Sequence, residues 1–205
     1  MKIRNTFAIL LVLLIISKTF SQEKKFKIHT VAFYNLENLF DTINDPTTND
    51  EEWLPNGAQN WTSKKYRKKC ANMAKVIAEI GRANNPNSPT ILGVSEVENR
   101  EVLEDLINQP ILKTKNYGIV HFDSPDKRGI DVGFLYQKEH FKPVASQNIP
   151  LYIYQKSTTE KKKEVVTNED DMSEIDSRGR RVYTRDQLLI TGLLDGEEVS
   201  FIVCH

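Results

Sequence analysis

Apolar and polar positions along the chain alternate between two periods, and the switches between them mark the elements. Phe26 to Tyr34 reads as a strand, and its second half, Val31 to Tyr34, is apolar on both faces, as in a central covered strand. Asp41 to Asn60 is rich in Asp, Asn, Thr and Pro and reads as loop. Ser63 is placed to cap a helix from about Lys64 to Ile80, with Tyr66, Cys70, Met73, Ala74, Ile77 and Ile80 at helical spacing and Gly81 ending it. Thr90 to Ser95 is a short apolar strand. Asn99 caps a second helix to about Asn108, with Val102, Leu103, Leu106 and Ile107 inward and Pro110 beyond. Tyr117 to Phe122 and Ile130 to Tyr136 are the next strands, and Pro150 to Tyr154 adds a short one. From Gln155 to Arg181 the chain is charged and poor in aliphatics, which predicts a mobile insertion. Gln187 to Leu194 and Val199 to Cys204 form a last hairpin around Asp195-Gly196-Glu197-Glu198. Strand, helix, strand, helix and then hairpins make a mixed α/β plan.

One apolar run does not belong to that plan. Phe7 to Ile16 is unbroken, follows the basic Lys2 and Arg4, and precedes the small-x-small site Thr19-Phe20-Ser21. This is the pattern of a secretory signal peptide over residues 1–21. Its core is too short for the roughly twenty residues that span a bilayer, so no transmembrane segment is expected after cleavage. The chain is then secreted or periplasmic. Residues 22–205 form one domain, a size able to bury a core.

Removing the leader changes the charge. The whole chain balances 28 basic against 28 acidic residues, and the leader holds Lys2, Arg4 and Lys18 but no acid. The remainder carries 25 basic residues against 28 acidic, a net −3, so no global attraction to nucleic acid follows and phosphate binding must be local. The cluster Lys64, Lys65, Arg67, Lys68 and Lys69 reads as a solvated helix face, with a nucleic-acid patch as the alternative. Cys70 and Cys204 lie far apart; export permits a disulfide, while Cys70 inside a helix reads as a small buried hydrophobe. No metal-ligand spacing of the CxxC type occurs.

Three polar residues stand at strand ends, where layered α/β proteins place their sites. Asn35 follows the first strand, Glu96 the second, and His205 the last. An amide oxygen and a carboxylate suit Mg²⁺, and a histidine beside such an ion can trade protons with water or a leaving oxygen. Taken singly, each has an ordinary role: turn cap, surface acid, terminal-strand histidine.

Together with their neighbours they resemble a known family. Val-Ala-Phe-Tyr-Asn-Leu-Glu-Asn-Leu-Phe-Asp (31–41), Ile-Leu-Gly-Val-Ser-Glu-Val-Glu-Asn-Arg (91–100) and Asp-Lys-Arg-Gly-Ile-Asp-Val-Gly-Phe-Leu-Tyr (126–136) look like the endonuclease/exonuclease/phosphatase superfamily, in the family's order. That superfamily includes pancreatic-type deoxyribonucleases, abasic-site endonucleases, inositol-polyphosphate phosphatases and bacterial sphingomyelinases. The resemblance implies a four-layer α/β sandwich, two mixed sheets face to face with helices outside, here incomplete at the C-terminus. It implies Mg²⁺, with Mn²⁺ as an alternative, and a phosphodiester substrate, nucleic acid foremost, with no stable protein partner. Residue by residue, Glu96 matches the metal-ligating glutamate and Asn35 the asparagine beside metal and scissile phosphate. Arg128 and Asp131 match a motif facing the substrate phosphate, with an Arg–Asp pair bracing the turn as the structural alternative. Arg185 matches a phosphate-facing arginine, and His205 the proton-transfer histidine of the deoxyribonuclease-like and sphingomyelinase-like branches.

Two departures qualify the match. Cys204 stands where many relatives carry Asn, and the family's later Asp-x-Asn and Asp-His motifs have no counterpart in the 205 residues. The expectation is therefore an N-terminal fragment, itself inactive or nearly so, of an exported metal-dependent phosphoester hydrolase. The alternatives are a catalytically inactive binding protein of the same fold, or a nuclease-like module gripping nucleic acid through Lys64 to Lys69.

Overall fold

The computed structural model describes residues 26–155, 175–176 and 179–205. The expected leader, and residues 156–174 and 177–178 of the expected insertion, lie outside the described residues. Among the described residues, strands and α-helices follow in order: β1 (Val31–Leu39), α1 (Ser63–Glu79), β2 (Ile91–Val97), α2 (Arg100–Ile107), α3 (Pro110–Lys113), β3 (Tyr117–His121), β4 (Asp131–Gln137), β5 (Phe141–Ile149), β6 (Ile153–Gln155), β7 (Ile175–Asp176), β8 (Gly179–Val182), β9 (Gln187–Leu194) and β10 (Glu197–Val203). The first sheet runs β1-β2-β4-β3 and is mixed: β1 and β2 are parallel, the other pairs antiparallel. The second, β10-β9-β5, is antiparallel, and β6-β8-β7 form a small third.

Burial on both faces explains why β2 and β4 read as unbroken apolar runs. Leu92, Val94, Val97 and Leu135 face the helices and join Ile77, Leu103 and Leu106 in one core. Ile91, Val132 and Phe134 face the second sheet and meet Phe141, Leu188, Ile190 and Val203 in the other. Phe134, Tyr136, Phe141 and Phe201 stack there with centroids 5.4 to 6.1 Å apart, within the range aromatic pairs favour. At Gly133 the sheet makes room for α2: a Cβ there would lie 2.8 Å from Leu103 Cδ1. Helices, mixed sheet and antiparallel sheet thus stack as the expected α/β sandwich. Among the described residues no helix covers the outer face of the second sheet, where Ile202 stands 60% exposed between two inward neighbours.

The helices follow their sequence signals with one shift. The α1 cap is Thr62, whose hydroxyl accepts from Lys65 N, and Ser63 is the first helical residue. Tyr66, Cys70, Met73, Ala74 and Ile77 are buried, while Lys64, Lys65, Arg67 and Lys68 are exposed. Gly81 turns the chain at φ 75°, against the Thr30 side chain. Asn99 caps α2 as expected, its Oδ1 accepting from Val102 N at 2.8 Å. Pro110 opens α3 rather than merely ending α2, because its missing N–H costs nothing in a first turn. Cys70 and Cys204 are both free thiols, the first buried and the second exposed.

The strands depart further. β1 begins five residues later than expected and runs past Asn35 to Leu39, and instead of being central and covered it lies at the edge of the first sheet with Val31 and Phe33 exposed on one face. β5 has no counterpart in the pattern, because Pro143 and the polar run Ser146-Gln147-Asn148 hide it. As an edge strand it tolerates both, with its register shift at Pro143/Ala145. The insertion is not wholly irregular, since its C-terminal end pairs as β7 and β8. The last hairpin is tighter than the four residues expected: Glu197 already pairs with Leu194, and Asp195 and Gly196, at φ 48° and 96°, make a two-residue turn. No described helix is long and apolar enough to cross a membrane.

Candidate active site

Topology gathers the polar strand ends. Because β1 and β2 run parallel, Asn35 and Glu96 fall at the same end of the first sheet. β4 runs against β2, so its first residue, Asp131, lies at that end too. In the second sheet Arg185 precedes β9 and His205 follows β10, and their antiparallel pairing brings both to this end.

Local backbone then decides where each side chain points. Glu96 lies within β2, not just beyond it, and takes a left-handed φ of 58°. The opposing strand does the same at Glu37 (54°) and Asn38 (56°), and the β1–β2 register breaks between Asn35 and Leu39. Each left-handed non-glycine residue costs about 1–2 kcal/mol. Bulges of this kind re-aim a side chain that strict alternation would send to the other face. Here the result is a tied carboxylate. Glu96 Oε1 accepts from Asn35 Nδ2 at 3.0 Å, and Oε2 accepts from Asn38 N at 3.0 Å. Asn35 Oδ1 accepts from Glu37 N at 2.6 Å, which fixes the amide's orientation and leaves that oxygen one lone pair.

Lys69 braces the bulge from α1. Its ammonium donates to the carbonyls of Glu37 and, at 3.1 Å, of Asn38, and lies 5.9 and 5.5 Å from the rings of Trp53 and Trp61. Burial pulls its pKa below the usual lysine value, against the nearby charges of Glu37 and Glu96, which push it up. The last member of the basic cluster is therefore part of the site wall rather than a solvated face.

His205 completes the contact. Its Nε2 lies 3.3 Å from Glu96 Oε1 and 3.3 Å from Asn35 Nδ2, and its Nδ1 lies 2.5 Å from Arg185 Nη2. A guanidinium can only donate, so Nδ1 accepts and the ring proton sits on Nε2, facing Glu96. Arg185 is itself anchored, Nη1 donating to Asp126 Oδ2 at 3.0 Å, while its buried Nε has no hydrogen-bond partner among the described residues. The chain Asp126–Arg185–His205–Glu96–Asn35 thus links both sheets.

Arg128 and Asp131 are not a pair. Arg128 turns to Asp126 instead: its backbone N donates to Asp126 Oδ1 at 2.9 Å, and its half-exposed guanidinium lies 3.6 Å from the same oxygen. Asp131, buried, accepts from Ser124 N at 2.9 Å and from the Ser124 hydroxyl, with its other oxygen 3.2 Å from His121 Nε2. That last approach is close without hydrogen-bond alignment, and Nε2 has no hydrogen-bond partner among the described residues. Among the described residues no hydrogen bond or ion pair joins Asp131 to Glu96 or His205; it lines an adjoining cleft of about 500 Å³ with Glu98, Asn99, Ser124 and Asp126. Burial pushes the Glu98 carboxyl up to about 8, and Asp41, Asp50 and Asp45 add to it, against the bond from Asp41 N.

Asp126, Glu98 and Lys69 are site residues that the sequence pattern does not single out. Asp126 opens the Asp-Lys-Arg-Gly stretch, and Glu98 repeats Glu96 at the strand period. Lys69 carries no signal within its run of basic residues.

A layered α/β domain with a carboxylate, an imidazole and a guanidinium joined at its strand ends is the class that fold and site define. The family model described as Endonuclease/Exonuclease/phosphatase family matches residues 30–167, two thirds of the chain, and the chain belongs to that family. Among solved structures it is similar to the human Nocturnin catalytic domain with bound sulfate anion, at 18% identity and a TM-score of 0.37. That match covers 66% of this chain and 40% of the other. No curated protein matches.

Proposed function

We propose that this chain is the N-terminal part of an exported, Mg²⁺-dependent phosphodiesterase of nuclease type. The observation that carries the reading is the Glu96 carboxylate, turned by a left-handed residue and held by Asn35 and Asn38 N, with the protonated Nε2 of His205 3.3 Å away. Export rests on the leader pattern of residues 1–21. Continuation of the second sheet beyond β10 is supported by Val31 and Phe33 of β1. Both are 54% exposed and stand opposite in alternation to Ala32 and Tyr34, which pack on the helix-side core.

The donors fit magnesium. It takes one or two carboxylates and completes its octahedron with water and substrate oxygens, and Glu96 with the remaining lone pair of Asn35 Oδ1 offers that set. When bound, such an ion would polarise a phosphoryl oxygen and offset the charge developing on it. The protein's own groups do the rest. Asn35 and Asn38 N hold Glu96 in place. His205, with Nδ1 taken by Arg185, presents Nε2–H, which can donate a hydrogen bond to a phosphate or leaving oxygen. Arg185 fixes that tautomer and adds positive charge, and the half-exposed Arg128 meets substrate phosphate.

Nucleic acid is favoured by the neighbouring surface. A cleft of about 290 Å³ beside Asp126 and Arg128 is lined by Arg180, Arg181 and Tyr183. The Arg181 guanidinium lies 4.5 Å from the Tyr152 ring centre and 4.6 Å from that of Tyr183. Basic groups interleaved with aromatic rings suit a strand whose backbone and bases need separate partners.

The test is hydrolysis of plasmid DNA and of bis-p-nitrophenyl phosphate with Mg²⁺ or Mn²⁺, comparing chain 22–205 with a version extended through the downstream sequence, each beside Glu96→Ala. Metal-dependent cleavage by the extended form, abolished by Glu96→Ala, is the expected result. Salt-sensitive DNA binding without cleavage in both forms would leave the inactive binding protein as the better reading.

A further inference from the structure

The end of the sandwich remote from Glu96 carries a second cluster of ligating groups. His29 lies just before β1, His140 in the turn between β4 and β5, and Asp195 at the tip of the β9–β10 hairpin. Their candidate ligand atoms all lie within 4.8 Å of one another. His29 Nε2 is 3.0 Å from Asp195 Oδ2, and His140 Nδ1 is 3.2 Å from Asp195 Oδ1. Donors on a tetrahedral zinc, with bonds of about 2.0–2.1 Å, stand roughly 3.3 Å apart, so these spacings suit a shared ion.

We propose that His29, His140 and Asp195 form a zinc-class metal site that clasps the two sheets together. Two imidazoles and one carboxylate favour Zn²⁺ and its first-row neighbours over Mg²⁺, which prefers oxygen alone. The surroundings support ligation. Thr90 Oγ1 lies 3.0 Å from His29 Nδ1, and a hydroxyl can accept the Nδ1 proton, which frees the Nε2 lone pair for the ion. The backbone is pinned independently of the side chains, because Asp195 N donates to His140 O at 2.8 Å. With three protein ligands, water would fill the fourth position.

One group competes. Lys27 Nζ lies 2.9 Å from Asp195 Oδ2, on a side chain 66% exposed. Lys27 must swing into solvent when the metal binds.

This competition supplies a readout that a purely structural His–Asp pair would not give. The full chain, stripped with a chelator, is titrated with Zn²⁺ by calorimetry and with Co²⁺ by visible absorption. One site with Co²⁺ bands in the tetrahedral range is expected, unaffected by millimolar Mg²⁺. His140→Ala and His29→Ala should each weaken Zn²⁺ binding by about 100-fold or more, and Thr90→Val by about 10-fold, as for groups that orient a ligand. Lys27→Met should tighten it severalfold, a gain that misfolding cannot mimic. Glu96→Ala should leave it unchanged, which separates this site from the proposed catalytic one. Absence of stoichiometric Zn²⁺ binding, survival of binding in both histidine variants, or its loss with Glu96→Ala would each overturn the proposal.

Discussion

The two ends of this sandwich are built from the same strands and differ in both backbone and chemistry. β1 has His29 before it and Asn35 within it, β2 has Thr90 and Glu96, and β9 has Asp195 after it and Arg185 before it. At the Asn35 end three non-glycine residues, Glu37, Asn38 and Glu96, take left-handed φ and break the β1–β2 register. At the other end the left-handed residues stand outside the strands, Asp195–Gly196 in an ordinary two-residue turn and Asn116 between α3 and β3. One end holds its carboxylate with amides, a backbone N–H and a guanidinium network; the other sets imidazoles around it. A sheet offers two rims, and the proposed site lies at the one where left-handed residues interrupt the strands.

The sharpest break of that comparison is functional. Glu96→Ala should lower kcat/KM for metal-dependent hydrolysis in the extended chain by at least about 10²–10³-fold, the scale for removing a central member of such a site. Asp195→Ala should change it less than about twofold; equal losses would erase the distinction between the rims. Arg185→Lys comes next. An ammonium reaches Asp126 or His205 but cannot bridge both, so a loss of about 10–100-fold with KM little changed and a displaced pH–rate profile is expected from steady-state kinetics.

Lys69→Met tests whether the strained rim depends on its brace. Losing charged hydrogen bonds to the Glu37 and Asn38 carbonyls should cost about 1.5–3 kcal/mol, at about 2–4 °C of Tm for each kcal/mol. Lys68→Met, on the exposed face of the same helix, should stay within about 0.5 kcal/mol. The smallest effect concerns the thiols. Burial pushes the Cys70 thiol up to about 11, so the native chain should show one fast-reacting thiol, Cys204, and the denatured chain two. Because Cys204 adjoins His205, a bulky label there should perturb the Glu96 rim and leave Zn²⁺ affinity at the other rim unchanged.

Much of the Glu96 rim is legible in the linear sequence. Asn35, Glu96 and His205 stand where apolar runs end, and the motifs around them name the family. Lys69 is not legible there, because a fifth basic residue in a run looks solvated until the helix is docked and its tip meets the β1 carbonyls. Nor is the partner of Arg128: Asp126 and Asp131 are both within reach in sequence, and only the burial of Asp131 against Ser124 and His121 removes it from the choice. β5 is hidden because an edge strand packs one side only and can carry Pro143 and polar residues that a central strand would reject.

The sequence by itself determined the periodic elements, among them the strands β2 and β4, the Asn99 cap and the chemical types at the strand ends, because these rest on side-chain hydrophobicity and local hydrogen bonding. Tertiary structure alone decided that Glu96 faces Asn35 and His205, that Arg185 sets the tautomer of that histidine, and that residues 29, 140 and 195 meet at the far rim. Those outcomes depend on strand direction and on left-handed backbone, which alternation in a linear pattern does not encode.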